Sequence, residues 1–127
     1  MVSTQLFDSS AVILYFNDAV SAESLALIAQ AVAQGTAALS VITRAEVLAW
    51  PSHTPASIEA AMLGMVSFEQ FGVGAAIADE EARIRRQHNI KLPDALIAAT
   101  AIINGLAVVT ANFSDFERVS DLKVIRF

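Results

Sequence analysis

Hydrophobic positions along the chain fall into two alternating kinds of block: short continuous apolar runs, and longer segments in which apolar and polar residues recur at helical spacing. Leu6-Phe7 is the first short run and reads as a buried strand. After the turn-prone Ser9-Ser10, an apolar helix-like run covers residues 11–16. Residues 21–34 are rich in Ala, Leu and Ile and stop at Gly35, a residue suited to the left-handed position after a helix. Residues 37–42 predict a strand. Residues 43–48 predict a short helix closed by Pro51, and Pro55 opens another that runs to about residue 66. A third short strand is expected over 71–73, a charged helix over 75–88, and an Ala-rich helix from Pro93 to near Asn104-Gly105. A strand over 106–110 and an edge strand over 123–127 complete the pattern. Continuously apolar strands of this length suit a sheet covered on both faces. The expected fold is therefore α/β: one three-layer α/β/α domain over 1–127, with a central, mainly parallel, short-stranded sheet.

Composition narrows the chemistry. The 127 residues are 55% hydrophobic, enough for one core. No run approaches the roughly 18 uncharged apolar residues of a membrane helix. The opening Met1-Val2-Ser3-Thr4-Gln5 lacks a basic region and Asp8 interrupts the apolar stretch that follows, so no signal peptide and a cytoplasmic location are expected. Without cysteine there is no disulfide, thiolate zinc site or cysteine nucleophile, and any metal must be held by oxygen or imidazole. Thirteen acids against eight bases give a net charge of −5, which opposes a broad electrostatic grip on nucleic acid. Setting four acids aside as a metal site leaves nine against eight, a nearly neutral remainder.

Four acids stand where such a site would form. In open α/β sheets the binding crevice lies outside the carboxyl ends of the strands. Asp8 follows the first strand, Glu46 lies one helical turn beyond the strand expected to end at Ile42, and Asp115 lies five residues past Thr110. Asp94 is in the first turn of its helix. Magnesium or manganese prefers such hard oxygens. Each acid also has a local explanation. Asp8 can start an Asx turn, and Thr43-Arg44-Ala45-Glu46 matches a capping box. Asp94 favours the positive end of its helix, and Asp115 can cap the segment at Phe116. Local roles leave unexplained why the acids gather toward one edge of the sheet, where they repel one another without a cation.

Longer motifs carry a resemblance. Asp8-Ser9-Ser10-Ala11-Val12-Ile13 resembles the opening motif of PIN-domain nucleases. Leu92-Pro93-Asp94-Ala95-Leu96-Ile97-Ala98-Ala99-Thr100-Ala101 is similar to the family's acid-bearing helix, and Thr110-Ala111-Asn112-Phe113-Ser114-Asp115-Phe116 to its T-x-N-x-x-D-F segment. Thr43-Arg44-Ala45-Glu46-Val47-Leu48 is a shorter echo of the helix with the second acid. The likeness is nearest to VapC-type toxins. It implies a PIN-like domain acting as a metal-dependent endoribonuclease, with Mg2+ or Mn2+ as cofactor, RNA as substrate, 5′-phosphate products, an antitoxin partner that occludes the site, and a homodimer. It implies direct metal binding by Asp8, Asp94 and Asp115, with Glu46 holding a second ion or the attacking water. Ser9, Thr110 and Asn112 would orient them, and Ser10 is a weaker candidate. Where such toxins often carry glycine after the second acidic helix, this chain has Ala49-Trp50-Pro51.

Other groups read more plainly. Arg83, Arg85, Arg86, His88 and Lys91 form the main basic stretch, which could guide a phosphate backbone, but pairing of Asp79 with Arg83 and Glu81 with Arg85 is expected to mute it. His53 and His88 fit no ligand motif and are expected at the surface. Trp50 reads equally as a core residue or an interface anchor, and Phe113 and Phe116 as core. Two other functions stay open: a catalytically inactive PIN-like RNA- or protein-binding module, and a receiver-type regulatory domain, for which a following lysine at a strand end is missing.

Overall fold

A computed structural model describes residues 2–127. Its central sheet has five strands: β1 (Gln5–Phe7), β2 (Ala37–Ser40), β3 (Glu69–Phe71), β4 (Ala107–Thr110) and β5 (Val124–Arg126). They lie in the order β3-β2-β1-β4-β5 and every neighbouring pair is parallel. The helices are α1 (Ser9–Phe16), α2 (Ala22–Gln34), α3 (Val41–Leu48), α4 (Pro55–Met65), α5 (Ala75–Gln87), α6 (Leu92–Asn104) and the short α7 (Phe113–Phe116). The three-layer α/β/α architecture with a parallel sheet agrees with the sequence expectation.

Alternation along the central strands divides the core. Leu6, Ala38 and Val108 point to the face covered by α5, α6 and Phe116 of α7, while Phe7, Leu39 and Val109 point to the face covered by α1 to α4. Both faces are sealed, so the central strands are apolar at every position except where they end. Strand order reverses around β1, which sits between β2 and the much later β4. That switch point opens a crevice at the carboxyl ends of the strands.

Two boundaries and one ion pair differ from expectation. β2 stops at Ser40 rather than Ile42, because the Ser40 hydroxyl accepts from the Ile42 amide at 3.0 Å and starts α3 two residues early. β3 covers Glu69–Phe71 rather than 71–73. Its exposed polar residues are tolerated because it is an edge strand. Arg83 pairs with Glu80, not Asp79, whereas the Glu81–Arg85 pair forms as expected.

Candidate active site

The crevice is built around Asp8. Its backbone N–H continues the sheet by donating to Val109 at 3.0 Å, and its side chain caps α1 by accepting from the Ala11 amide at 3.0 Å. The local role read from sequence is therefore real. It does not exhaust the residue, because the same carboxylate accepts from Ser10 Oγ at 2.7 Å on Oδ1 and from Thr110 Oγ1 at 2.6 Å on Oδ2. Those two hydroxyls are fixed in turn: the Ala111 amide donates to Ser10 Oγ at 3.1 Å and the Asn112 amide to Thr110 Oγ1 at 2.9 Å. Each hydroxyl thus receives from the β4–α7 turn and gives to Asp8. The carboxylate is 3% exposed, and burial raises its pKa against the lowering effect of these donors.

Glu46 reaches the crevice from α3. The capping-box reading of Thr43 and Glu46 fails because the helix begins at Ser40, which leaves Thr43 buried within it. Glu46 instead meets α1: Ser9 Oγ lies 2.5 Å from Glu46 Oε1 and 3.1 Å from Thr43 Oγ1. With one proton to give, Ser9 gives it to the carboxylate. Asp94 is in the first turn of α6 and Asp115 in α7. Neither caps its helix, and among the described residues neither joins an ion pair, the two pairs being Arg83–Glu80 and Arg85–Glu81.

The four acids share one electrostatic field. The Asp94 carboxyl is raised to a pKa of about 6, first by burial, then by the charges of Asp115, Asp8 and Glu46, with Lys91 opposing. Asp115, Asp8 and Glu46 thus each act on the Asp94 carboxyl from a different part of the chain. Among the described residues, no three acidic or imidazole side chains stand at preformed metal-binding spacing. The donor chemistry nevertheless fits a hard divalent cation: oxygen ligands, mutual repulsion, and no ion pair to neutralise them.

The family model for the PIN domain matches residues 6–122. The chain belongs to the PIN-domain family. No curated protein sequence matches this PIN domain. Solved structures do. VapBC2 from Rickettsia felis, bound to a DNA fragment from their promoter, superposes with a TM-score of 0.84 at 18% identity, over 100% of this chain and 99% of that one. DNA-bound VapBC from Salmonella typhimurium gives 0.81 at 21% identity, covering 98% of both chains. A toxin–antitoxin complex from Klebsiella pneumoniae gives 0.76 at 27% identity, covering 96% of both.

The structure sharpens the parts of several residues of this PIN domain. Ser10, the weaker candidate, bonds Asp8 directly, and Thr43 joins the Ser9–Glu46 contact. Thr43 stands three residues before Glu46, on the same helix face, and that spacing was the available signal. Asn112 contributes its backbone amide, and its side chain makes no cap hydrogen bond to α7. Trp50 is 57% exposed, so it is not a core residue. Phe116 is buried, but Phe113 is half-exposed beneath the Arg126 guanidinium, 3.9 Å from its ring centre. Both histidines are half-buried rather than on the surface, and His53 bridges Ser57 Oγ and the Val47 carbonyl, each at 2.8 Å.

Proposed function

We propose that this PIN domain is a VapC-like toxin: an endoribonuclease, dependent on magnesium or manganese, that hydrolyses RNA phosphodiester bonds under the control of an antitoxin. The observation that supports the reading most is that Asp94 feels the charges of Asp115, Asp8 and Glu46 together, with Asp8 buried at the carboxyl end of β1. Asp8, Asp94 and Asp115 would hold the ion, with Glu46 beside them. When bound, such an ion activates water near neutral pH and offsets charge on the phosphodiester. The chain's own work is positioning. Ser10 and Thr110 fix both oxygens of Asp8, and Ser9 ties the exposed Glu46 carboxylate to α1. Removing that orientation in Ser9→Ala should lower metal affinity or turnover by about 10–100-fold, the usual cost of losing a ligand's supporting hydrogen bond. The melting temperature should barely change, because Ser9 is only part-buried.

The antitoxin reading rests on the toxin–antitoxin relatives and on an apolar groove. A cavity of 650 Å3 between α1, α3 and α4 is lined by Ile13, Phe16, Val47, Trp50 and Ala61 and reaches Glu46. A partner helix seated there would cover exposed apolar surface and close the crevice. A homodimer and a cytoplasmic setting belong to the same reading, and among the described residues no helix is long and apolar enough to cross a membrane.

An inactive binding module is the second reading, favoured by the absence of a preformed three-ligand cluster among the described residues. Incubating the purified chain with diverse single-stranded RNAs separates the two. Cleavage in manganese that stops in EDTA is expected. An intact RNA pool, together with no manganese binding by calorimetry, would overturn the nuclease in favour of the module.

A further inference from the structure

We propose that Lys91 and Arg118 form a phosphate-binding subsite that holds the RNA backbone beside the scissile bond, on the Asp94 and Asp115 side of the acid group. The inference rests on the nuclease reading above and says which residues receive the polyanion. A cavity of 420 Å3, within the range of small-ligand pockets, is lined by Asn89, Ile90, Lys91, Asp94, Asp115 and Arg118. Its two acids are accompanied by two cations in matching positions. Lys91 precedes Asp94 by three residues at the start of α6, and Arg118 follows Asp115 by three just beyond α7.

Residues three apart on a helix are placed to pair, and Arg83 does so with Glu80 through bonds of 2.6 and 2.9 Å. Lys91 and Arg118 do not. Among the described residues neither closes an ion pair with any carboxylate, and both are exposed. Their charge is therefore available to a ligand. The expected basic stretch thus divides: Arg83 and Arg85 are spent on Glu80 and Glu81, while Lys91 lines the cavity beside Asp94 and Asp115 with Arg118, distant in sequence, as its companion.

The chemistry requires such a pair. A phosphodiester approaching four carboxylates is repelled, and cations at the mouth of the crevice offset that repulsion before the strand is committed. The guanidinium of Arg118 offers a planar fork to two phosphate oxygens and Lys91 a compact charge. The first turn of α6 has no side-chain cap, so the positive end of this 13-residue helix adds to the same field. On the Glu46 side the apolar groove has no lysine or arginine in its lining. A polyanion is accordingly received from the Lys91 and Arg118 side.

The test is fluorescence anisotropy of a labelled single-stranded RNA decamer in EDTA, across a salt series, with Lys91→Gln, Arg118→Gln, Lys91→Arg and the control Arg83→Gln. Each of the first two should weaken binding roughly three- to tenfold and reduce the salt slope by about 0.7, the share of one phosphate contact on a single strand. Lys91→Arg should restore the slope and Arg83→Gln should leave it unchanged. In manganese, KM should rise by a similar factor while kcat changes less than about twofold, a split that a merely structural role would not give. Wild-type slopes in both Gln variants, with cleavage intact, would overturn the subsite and leave the nuclease standing. A wild-type chain that binds RNA in EDTA with these slopes but never cuts would retain the subsite and remove the nuclease. Neither binding nor cutting would remove both.

Discussion

Asp94→Asn should abolish RNA cleavage and at the same time stabilise the metal-free protein above pH 6. The folded carboxyl keeps its proton up to about pH 6, well above the ordinary aspartate value of 3.8. Folding therefore takes up a proton between those limits. The stability associated with the protonated form is present in full below 3.8 and is lost as pH rises through 6, where the fold must carry a charge that Asp115, Asp8 and Glu46 repel. Asparagine keeps the shape and carries no charge. Discounted for solvent screening at a half-exposed side chain, the gain is on the order of 1–2 kcal/mol. The melting temperature at pH 8 should rise by roughly 3–10 °C, with the gap closing near pH 4. Manganese should stabilise the wild type and not the variant. A variant that melts below wild type at pH 8, or one that manganese still stabilises fully, would contradict the acid group as described.

Asp8→Asn and Asp8→Ala should separate folding from chemistry. Asparagine can keep its carbonyl toward Ser10 and the Ala11 amide and turn its NH2 to the Thr110 hydroxyl, so the cap and the link to β4 survive. Stability should stay within about 1 kcal/mol of wild type, while cleavage falls at least about 100-fold, because the charge that holds a cation is gone. Alanine removes the cap and leaves the Thr110 hydroxyl without an acceptor. That should cost about 2–4 kcal/mol in addition. Denaturant melts and initial rates on both variants check this, and a fully active Asp8→Asn protein would remove Asp8 from the site.

Much of this was legible in the sequence where local and long-range demands coincide. Continuous runs such as 107–110 read as strands buried on both sides, and Gly35 and Gly105 marked helix ends because each adopts positive φ there, 71° and 67°. Legibility failed where tertiary context chooses between locally equal options. Val41 and Ile42 suit a strand as well as a helix, and the Ser40 cap decides. The Thr43 and Glu46 spacing fits a capping box, and only the approach of Ser9 from α1 shows where Glu46 goes. Glu69 and Gln70 look unlike strand residues until they lie at a sheet edge. The motif resemblance named Thr110, and more weakly Ser10, as supports for the acids, but that both bond to Asp8 was visible only in the structure. Those links depend on a β1–β4 adjacency that no local pattern encodes.

The hydrogen bond between Thr110 and Asp8 joins residues 102 positions apart. On the ribosome, Asp8 emerges early, yet its partner on β4 and the acid on α7 are synthesised only in the last fifth of the chain. A nascent chain halted before that point holds Asp8 without its Thr110 donor and Asp94 without the charge of Asp115. Central placement of the first strand thus ties completion of the site to two late-made elements, and under the proposed nuclease reading activity would wait until β4 and α7 have been made and docked.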